Sequence, residues 1–361
     1  MADIPFLDFI GDDDHLIDHD ALDIDEQFAP QPRVHPHLVD YGNPMEILTD
    51  LEFVKDYHMS KEVVRDMLLP LLQNDADPRG APVPPTLMGL TLLSYLATSS
   101  FQNMCGKIVK LSQPTVCKIV NMTSKTLALK MSDFIKFPPP NQMNDIHVQF
   151  YALARFPGVT GIIDGTHIPI MNPGGPRAET FRNRKGTMSL NVQVVCGPNM
   201  EFFDLICRWP GSAHDSRMFN ASSVKLRFDN DELPGYLLGD SGYAQTRKMY
   251  TPFPDPANPQ EEAYNRAQKT TRNLIERAFG VWKRKFPILK RALQNKLPNS
   301  INIIIASAIL HNMTRQDNAM YEPQEEEEEE ERGEEEEDVD HPRVDPNGAD
   351  IRRRFAQQFF G

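Results

Sequence analysis

The stretch Val159-Thr-Gly-Ile-Ile-Asp164 is a short apolar run that ends at an aspartate. Runs of this kind are typical of strands that are buried on both faces of a sheet. A second run, Tyr236-Leu-Leu-Gly-Asp240, has the same form. A carboxylate that follows a buried strand lies at the rim of its sheet, where ligands bind. We therefore predict that Asp164 and Asp240 face a common ligand.

Further periodic segments surround these two runs. Residues 190–195 and 202–207 predict two more short strands, and residues 214–227, 261–286 and 301–314 predict helices. The order strand, strand, strand, helix, strand, helix is typical of a mixed α/β sheet with helices packed on it.

Glu276 supplies a third acidic side chain, on a predicted helix. From Arg266 to Lys296 there are ten Lys or Arg residues, and Glu276 is the one acidic residue. A lone carboxylate on a basic face suits a metal nuclease, in which cations hold phosphates and the acid holds the ion. A local ion pair with Arg272 or Lys283 is the alternative.

Carboxylates gathered at one rim need a compensating charge. Two of them repel by about 4 kcal/mol at 4 Å and an effective dielectric constant of 20. A divalent cation relieves this repulsion, and ligation by oxygen alone suits Mg²⁺ or Mn²⁺. Asp215, in a turn after the third predicted strand, is a candidate fourth ligand or a helix N-cap. The pattern indicates a two-metal site for phosphoryl transfer.

The net charge of −13 is distributed unevenly. Residues 1–26 contribute −10 and residues 325–340 contribute −12, whereas residues 27–324 carry +7. A basic body between acidic segments is compatible with nucleic-acid binding. We expect the acidic segments to be disordered. They either compete with DNA for the basic surface or serve as solubilising tails.

Other features of the composition narrow the class of protein. The four cysteines form no Cys-x-x-Cys pair, which predicts neither a zinc site nor a disulfide framework. The longest apolar run, residues 303–310, is far shorter than the ~18 residues of a membrane span. We therefore expect a soluble intracellular protein.

Residues 101–120 have the form of a helix-turn-helix. Ser112 is a plausible N-cap for a second helix with Pro114 in its first turn. This helix would present Gln113, Thr115 and Lys118 to DNA. A helical packing domain without DNA contact is the alternative.

Two basic clusters are further candidates for DNA contact. One precedes the second predicted strand, and the other follows one face of the helix around Glu276. The candidates in the first cluster are Arg182, Arg184 and Lys185, and those in the second are Lys269, Arg272 and Lys283. For the first cluster, a basic hairpin turn without a ligand is the alternative.

Four regions follow from these patterns. We predict an acidic disordered arm over residues 1–45 and a helical domain with the helix-turn-helix over 46–140. An α/β nuclease domain over 150–316 and an acidic disordered tail over 317–361 complete the chain.

Six motifs in register resemble the PIF/Harbinger family of DDE transposases and the nucleases derived from them. They are Ile163-Asp-Gly-Thr-His-Ile168, Asn183-Arg-Lys-Gly186, Trp209-Pro-Gly-Ser-Ala-His-Asp215, Leu237-Leu-Gly-Asp-Ser-Gly-Tyr243, Ile275-Glu-Arg-Ala-Phe-Gly280 and Leu310-His-Asn312. The resemblance implies an RNase H-like fold, metal held by Asp164, Asp215, Asp240 and Glu276, and catalysis by Asp164, Asp240 and Glu276. It also implies a Myb-like DNA-binding partner protein.

Two functions from different classes remain open. The first is a metal-dependent DNA endonuclease or transposase that acts on double-stranded DNA in the nucleus, with a cytoplasmic pool, as a monomer or homo-oligomer. The second is a domesticated nuclear DNA-binding or adaptor protein that keeps the fold without the chemistry. A phosphohydrolase for small substrates would leave the helix-turn-helix and the basic face unexplained.

Overall fold

A computed structural model describes residues 43–72, 83–98, 111–316 and 346–361. Residues 43–49 belong to one compact unit, and the described residues from Asp50 onwards belong to another. In the first unit the described part is a short helix, α1 (Pro44–Ile47), whose first turn is capped by the Asn43 side chain.

The first helices of the second unit build a helical layer. They are α2 (Asp50–Tyr57), α3 (Lys61–Val63), a π-helical turn (Val64–Leu68), α4 (Leu69–Leu72), α5 (Pro85–Thr98), α6 (Gln113–Ala128), α7 (Met131–Phe134) and α8 (Met143–Ala154). Residues 88–97 of α5 are all buried. Among the described residues, no helix is both long and apolar enough to span a membrane.

A five-stranded mixed sheet forms the centre of the second unit. Its strands are β1 (Val159–Pro169), β2 (Ser189–Cys196), β3 (Phe202–Pro210), β4 (Tyr236–Leu238) and β5 (Met249–Tyr250). They lie in the order β3-β2-β1-β4-β5, with β1, β2 and β3 antiparallel and with β4 parallel to both β1 and β5. The predicted mixed α/β sheet is confirmed.

The strand that carries Asp164 is longer than expected. We predicted that the apolar run would end the strand at Asp164, but β1 continues for five more residues to Pro169. The extension is held by antiparallel pairing with β2, in which His167 faces Asn191 and Pro169 faces Ser189. Asp164 therefore lies within β1, beyond the point where its parallel neighbour β4 ends.

Helices flank this sheet. They are α9 (Asp215–Asn220), α10 (Ser223–Asp229), α11 (Pro259–Lys285) and α12 (Leu297–Gln316). Trp282 of α11 is fully buried and its indole N–H donates to Ser307 of α12 over 3.2 Å. Because α11 is anchored in this way, its other face can present Arg272 and Glu276 at the sheet.

The helical region and the sheet are packed together. Helix α6 packs along α12, and Asn295 links α5 to α6 by hydrogen bonds with Tyr95 and Asn121. Residues 50–72, 83–98 and 111–154 thus belong to the same compact unit as the sheet. The first helix of the predicted helix-turn-helix lies outside the described residues, so that motif stays a prediction.

The end of the chain forms a helix, α13 (Pro346–Phe360). The prediction of a disordered tail is wrong for these residues; residues 317–345 lie outside the described part. Arg352 donates to the carbonyl oxygens of Thr251 and Pro252, and its guanidinium lies 4.3 Å from the ring centroid of Phe253. The sequence of α13 contains no acidic run, and its apolar residues are spaced four apart. They therefore form one apolar helical face, which explains this packing.

Replacing Phe355 with leucine should lower the free energy of unfolding by about 1 kcal/mol. Phe355 is buried, and its ring centroid lies 5.4 Å from that of Phe156 and 4.7 Å from that of Tyr250. Leucine keeps most of the apolar volume but loses these aromatic contacts. Urea unfolding measures the change. Phe359→Leu, on the same helix but 48% exposed, is the control and should cost clearly less; equal losses would contradict this packing of α13.

Candidate active site

Parallel pairing brings Asp164 and Asp240 together. The register of β1 and β4 pairs Ile162 with Leu238, and each aspartate lies two residues further along its own strand direction. The two side chains therefore lie at the same edge of the sheet. The backbone N–H of Gly165 donates to Asp164 Oδ1 over 2.8 Å, and that of Gly242 donates to Asp240 Oδ1 over 3.0 Å.

Asp215 is the first residue of α9 and belongs to the same cluster. Its Oδ1 accepts a hydrogen bond of 2.8 Å from Asn191 Nδ2, which also donates to the carbonyl oxygen of Ala213. A Cβ atom built on Gly165 would lie 2.4 Å from Asp215 Oδ1. The carboxylate thus rests directly on the backbone of β1. The alternative role as an N-cap does not apply, because His214 occupies the cap position.

Burial and mutual repulsion shift the pKa values of these acids. Burial raises the pKa of Asp164 well above its usual value; Arg272 opposes this shift, and the charges of Asp240 and Asp215 add to it. Burial likewise raises the pKa of Asp215 to about 6, against the hydrogen bond from Asn191 and with a contribution from Asp240. We call Asp164, Asp215 and Asp240 the acidic cluster.

Tyr243 is buried next to the acidic cluster. Its pKa is raised well above the usual value by burial and then by the charges of Asp215, Asp164 and Asp240. Its hydroxyl accepts a 2.9 Å hydrogen bond from Gln193 Nε2, which also donates to the carbonyl oxygen of Asp215. The floor of the cluster is therefore fixed by side chains from β2 and from the loop after β4.

Glu276 is held at the edge of the cluster by Arg272. The guanidinium donates through Nη1 to Asp164 Oδ2 over 2.9 Å and through Nη2 to Glu276 Oε1 over 2.8 Å. The Glu276 side chain is 53% exposed, whereas that of Asp164 is 15% exposed. The local pair with Arg272 that the sequence left open is therefore present, and the same arginine connects Glu276 to β1.

The acidic cluster has the chemistry of a site for a divalent cation. Its donors are hard carboxylate oxygens, and its excess negative charge is partly balanced by Arg272. The buried amide oxygens of Asn191 and Gln193, next to the cluster, have no hydrogen-bond partner in the described structure. In the described ranges no three potential ligands are already arranged to hold a metal ion. Arg272 donates to one oxygen of Asp164 and one of Glu276. The donor set fits Mg²⁺ or Mn²⁺, provided that Arg272 moves.

Three basic side chains surround His167, three residues after Asp164. Burial and then the charges of Lys283, Lys185 and Arg184 lower the pKa of His167 to about 4. Lys283 Nζ donates to Thr166 Oγ1 over 2.7 Å, and Arg184 Nη2 donates to His214 Nδ1 over 2.9 Å. His167 is therefore neutral near pH 7, and the rim beside the acidic cluster is positively charged. Phosphates are attracted to such a rim.

The other predicted DNA contacts are placed differently. Arg182 forms an ion pair with Glu179 and donates to the carbonyl oxygen of Gly186, so it stabilises its own turn. Lys269 is exposed on α11. At the start of α6, Gln113 and Lys118 are exposed, and the Thr115 hydroxyl is 2.8 Å from that of Ser112. Their contact with DNA stays a prediction.

Gly165, Asn191, Gln193 and Tyr243 shape the site but were not predicted from the sequence as site residues. Signals for them were present: Gly165 and Tyr243 lie within two of the family motifs, and Asn191 and Gln193 continue from Ser189 a series of buried polar residues spaced two apart in β2. Polar side chains on one face of a buried strand usually have a specific partner.

His311 and Asn312 form hydrogen bonds with the backbone near the start of β3. His311 Nε2 lies 2.7 Å from the carbonyl oxygen of Met200. The Asn312 side chain accepts from the backbone N–H of Phe202 and donates to the carbonyl oxygens of Phe202 and Phe134. These bonds anchor the start of β3 on α12.

Gly165→Ala should lower the free energy of unfolding by about 1–2 kcal/mol, because its methyl group overlaps the Asp215 carboxylate. A double-mutant cycle tests this cause: in an Asp215→Ala background the loss should be smaller. Gly280→Ala is the control, since a Cβ there meets nothing within 4 Å. A loss that is unchanged by Asp215→Ala would contradict the contact.

Comparisons with known proteins agree with this architecture. The model of the DDE superfamily endonucleases matches residues 163–312, a range that contains Asp164, Asp215, Asp240 and Glu276. The mixed sheet with its flanking helices fits the RNase H-like fold of the DDE class, and the match assigns residues 163–312 to the DDE superfamily of endonucleases. No solved structure matches the chain.

Individual relatives narrow the class. The human protein named "Putative nuclease HARBI1" is 32% identical over 241 residues, which cover 65% of this chain and 69% of the relative. The Xenopus laevis protein of that name is 27% identical over 243 residues, covering 66% and 70%. "Protein ALP1-like" of Arabidopsis thaliana is 24% identical over 260 residues, covering 66% and 63%. The chain belongs to the Harbinger-type family of DDE nucleases and transposases.

Proposed function

We propose that this protein cuts double-stranded DNA by metal-dependent phosphoryl transfer at the acidic cluster, with Asp164, Asp240 and Glu276 as the catalytic residues. One observation carries the proposal. The register of β1 and β4 sets Asp164 beside Asp240 at one sheet edge, where the charge of Asp240 raises the pKa of both Asp164 and Asp215.

Each group of residues has its own task in this proposal. Asp164, Asp215, Asp240 and Glu276 would hold the divalent metal. The chemistry that a bound metal would supply is Lewis acidity towards the attacking water or 3′-OH and positive charge near the leaving oxygen. Lys283, Arg184 and Lys185 bind the phosphate backbone beside the cluster. Burial, and then these three charges, lower the pKa of His167, so it stays neutral and offers only hydrogen bonds. A cut that leaves a 3′-OH would allow strand transfer into a second DNA molecule.

The setting of this activity is also part of the proposal. Action on DNA favours a nuclear site with a cytoplasmic pool. A Myb-like partner protein would help to recognise the DNA ends, and a homo-oligomer would allow two ends to be cut together. Co-purification tests for the partner protein. Sedimentation of the complex on DNA tests for the homo-oligomer.

The experiment that tests the proposal is nicking of supercoiled DNA by the wild-type chain with Mg²⁺, with Mn²⁺ or with EDTA. We expect open-circular product only with metal, and polymerase extension of the nicks would identify the 3′-OH. Binding without nicking, repeated with inverted-repeat DNA and the partner protein, would favour the alternative of a domesticated DNA-binding protein. Arg272 in contact with both Asp164 and Glu276 is the feature that would favour this alternative.

A further inference from the structure

Arg272 bridges two of the proposed catalytic acids from different parts of the fold. Its contact with Glu276 is local, one helical turn along α11, whereas its contact with Asp164 joins residues 108 apart in sequence. The arginine side chain is only 23% exposed. A guanidinium keeps its proton in proteins, so it is a fixed positive charge in the centre of the candidate site.

This charge lies where a divalent cation would need the same oxygens. Asp164 Oδ2 and Glu276 Oε1 each accept a hydrogen bond from Arg272, and an oxygen that is directed at a guanidinium is less available to a metal. Two cations at these oxygens would also repel each other in a poorly solvated site. Arg272 and the metal are therefore expected to exclude each other.

A second arginine on α11 shows that this arrangement is not a general property of the helix. Arg266 also pairs with a glutamate four residues away, Glu262, but over 3.7 Å and with side-chain exposures of 72% and 58%. Both pairs are spaced four residues apart on α11, with the acid first in one pair and the arginine first in the other. Only the fold places the guanidinium of Arg272 against a buried acid of the sheet.

We propose that Arg272 is a positioning residue that takes the place of the metal in the metal-free protein, and that metal binding releases it towards DNA phosphate. This inference rests on the proposed function of the acidic cluster. In the metal-free state Arg272 keeps Asp164 and Glu276 in position and limits their repulsion. After release, its planar guanidinium can form a bidentate contact with a phosphate, through two N–H donors. The exposed Lys269 lies nearby on the same helix. Metal and DNA should then bind cooperatively, each favouring the other.

The test is Mn²⁺ binding to the full-length chain without DNA, followed by electron paramagnetic resonance of the free ion. Arg272→Gln should bind Mn²⁺ about tenfold more tightly than the wild type, because the competing charge is gone. If Arg272 only shaped the site, the substitution would weaken Mn²⁺ binding or leave it unchanged, and either result would overturn the proposal. Arg266→Gln, which removes an exposed charge from the same helix, is the control and should stay within about twofold.

A second variant and a DNA arm complete the experiment. Arg272→Lys keeps the charge but not the two-pronged bridge, so its Mn²⁺ affinity should lie between those of wild type and Arg272→Gln. If Arg272→Gln fails to fold, tighter binding by Arg272→Lys supports the proposal and equal or weaker binding overturns it. Adding duplex DNA should tighten Mn²⁺ binding to the wild type more than to Arg272→Gln. If DNA tightens Mn²⁺ binding equally in both proteins, the proposal that Arg272 is released towards DNA phosphate is overturned.

Metal binding and DNA cleavage are separate readouts, so the two proposals can fail separately. A chain that never cuts DNA but binds Mn²⁺ more tightly as Arg272→Gln would contradict the proposed function and support the role of Arg272. If the wild type cuts DNA but Arg272→Gln does not bind Mn²⁺ more tightly, the result would support the proposed function and contradict the role of Arg272.

Discussion

Asp164→Asn and Asp240→Asn should each reduce metal-dependent DNA nicking by at least about 10³-fold. Both carboxylates lie at the edge where β1 passes the end of β4, and an amide at either position cannot supply the negative charge that a metal ligand needs there. DNA affinity should change little, because the basic side chains around His167 are untouched. Nicking rates and binding isotherms for the same DNA measure the two effects.

Asp204→Asn is a matched control for these variants. Asp204 is also an aspartate in a strand of the sheet, and burial raises its pKa to about 6, but Asp204 lies on β3 and faces Arg227 rather than the acidic cluster. Its replacement should leave nicking within about twofold of the wild type. Retained nicking in Asp240→Asn, or equal loss in Asp204→Asn, would contradict the assignment of the site.

Asp215→Asn should stabilise the metal-free protein by about 2–3 kcal/mol at pH 7.5. Burial raises the pKa of Asp215 from its ordinary value of 3.8 to about 6 in the folded protein. In the wild type, the protonated Asp215 side chain therefore makes its full contribution to the free energy of unfolding below about pH 4. This contribution is lost as the pH rises through 6. Asparagine does not titrate, so the advantage of the variant is greatest above pH 7 and disappears towards pH 4. Unfolding by urea across this pH range measures it.

Metal should reverse the order of stability. Saturating Mn²⁺ binds the folded wild type and raises its stability, whereas Asp215→Asn lacks one of the proposed ligands and should gain less. Asp204→Asn separates burial from metal binding, since it should show a similar pH dependence but keep the full response to Mn²⁺. An advantage of Asp215→Asn that does not shrink below pH 6 would contradict the raised pKa.

Much of the sheet could be predicted from short apolar runs. Residues 236–238 were predicted as a strand and form β4, and the other predicted strands lie within β1, β2 and β3. The two-residue strand β5 carries too little pattern to be recognised alone and is defined by its pairing with β4. The extension of β1 past Asp164 depends on its antiparallel partner, which no local pattern reveals.

The acids of the site were easier to find than the residues that organise them. Aspartates after buried strands predicted the proximity of Asp164 and Asp240, and parallel register explains it. The contact between Asp215 and Gly165 and the bridge from Arg272 to Asp164 join distant segments. From sequence alone, Arg272 and Glu276 could be paired only as helical neighbours, which concealed the second role of the arginine.

The most direct test of the central claim is a crystal structure with Mn²⁺, in which anomalous scattering locates the ion. We expect a peak bound by carboxylate oxygens of Asp164 and Asp240, with Arg272 no longer in contact with Asp164. A crystal saturated with Mn²⁺ that shows no ion at these two aspartates, and an intact pair between Arg272 and Asp164, would contradict the proposed metal-dependent nuclease site.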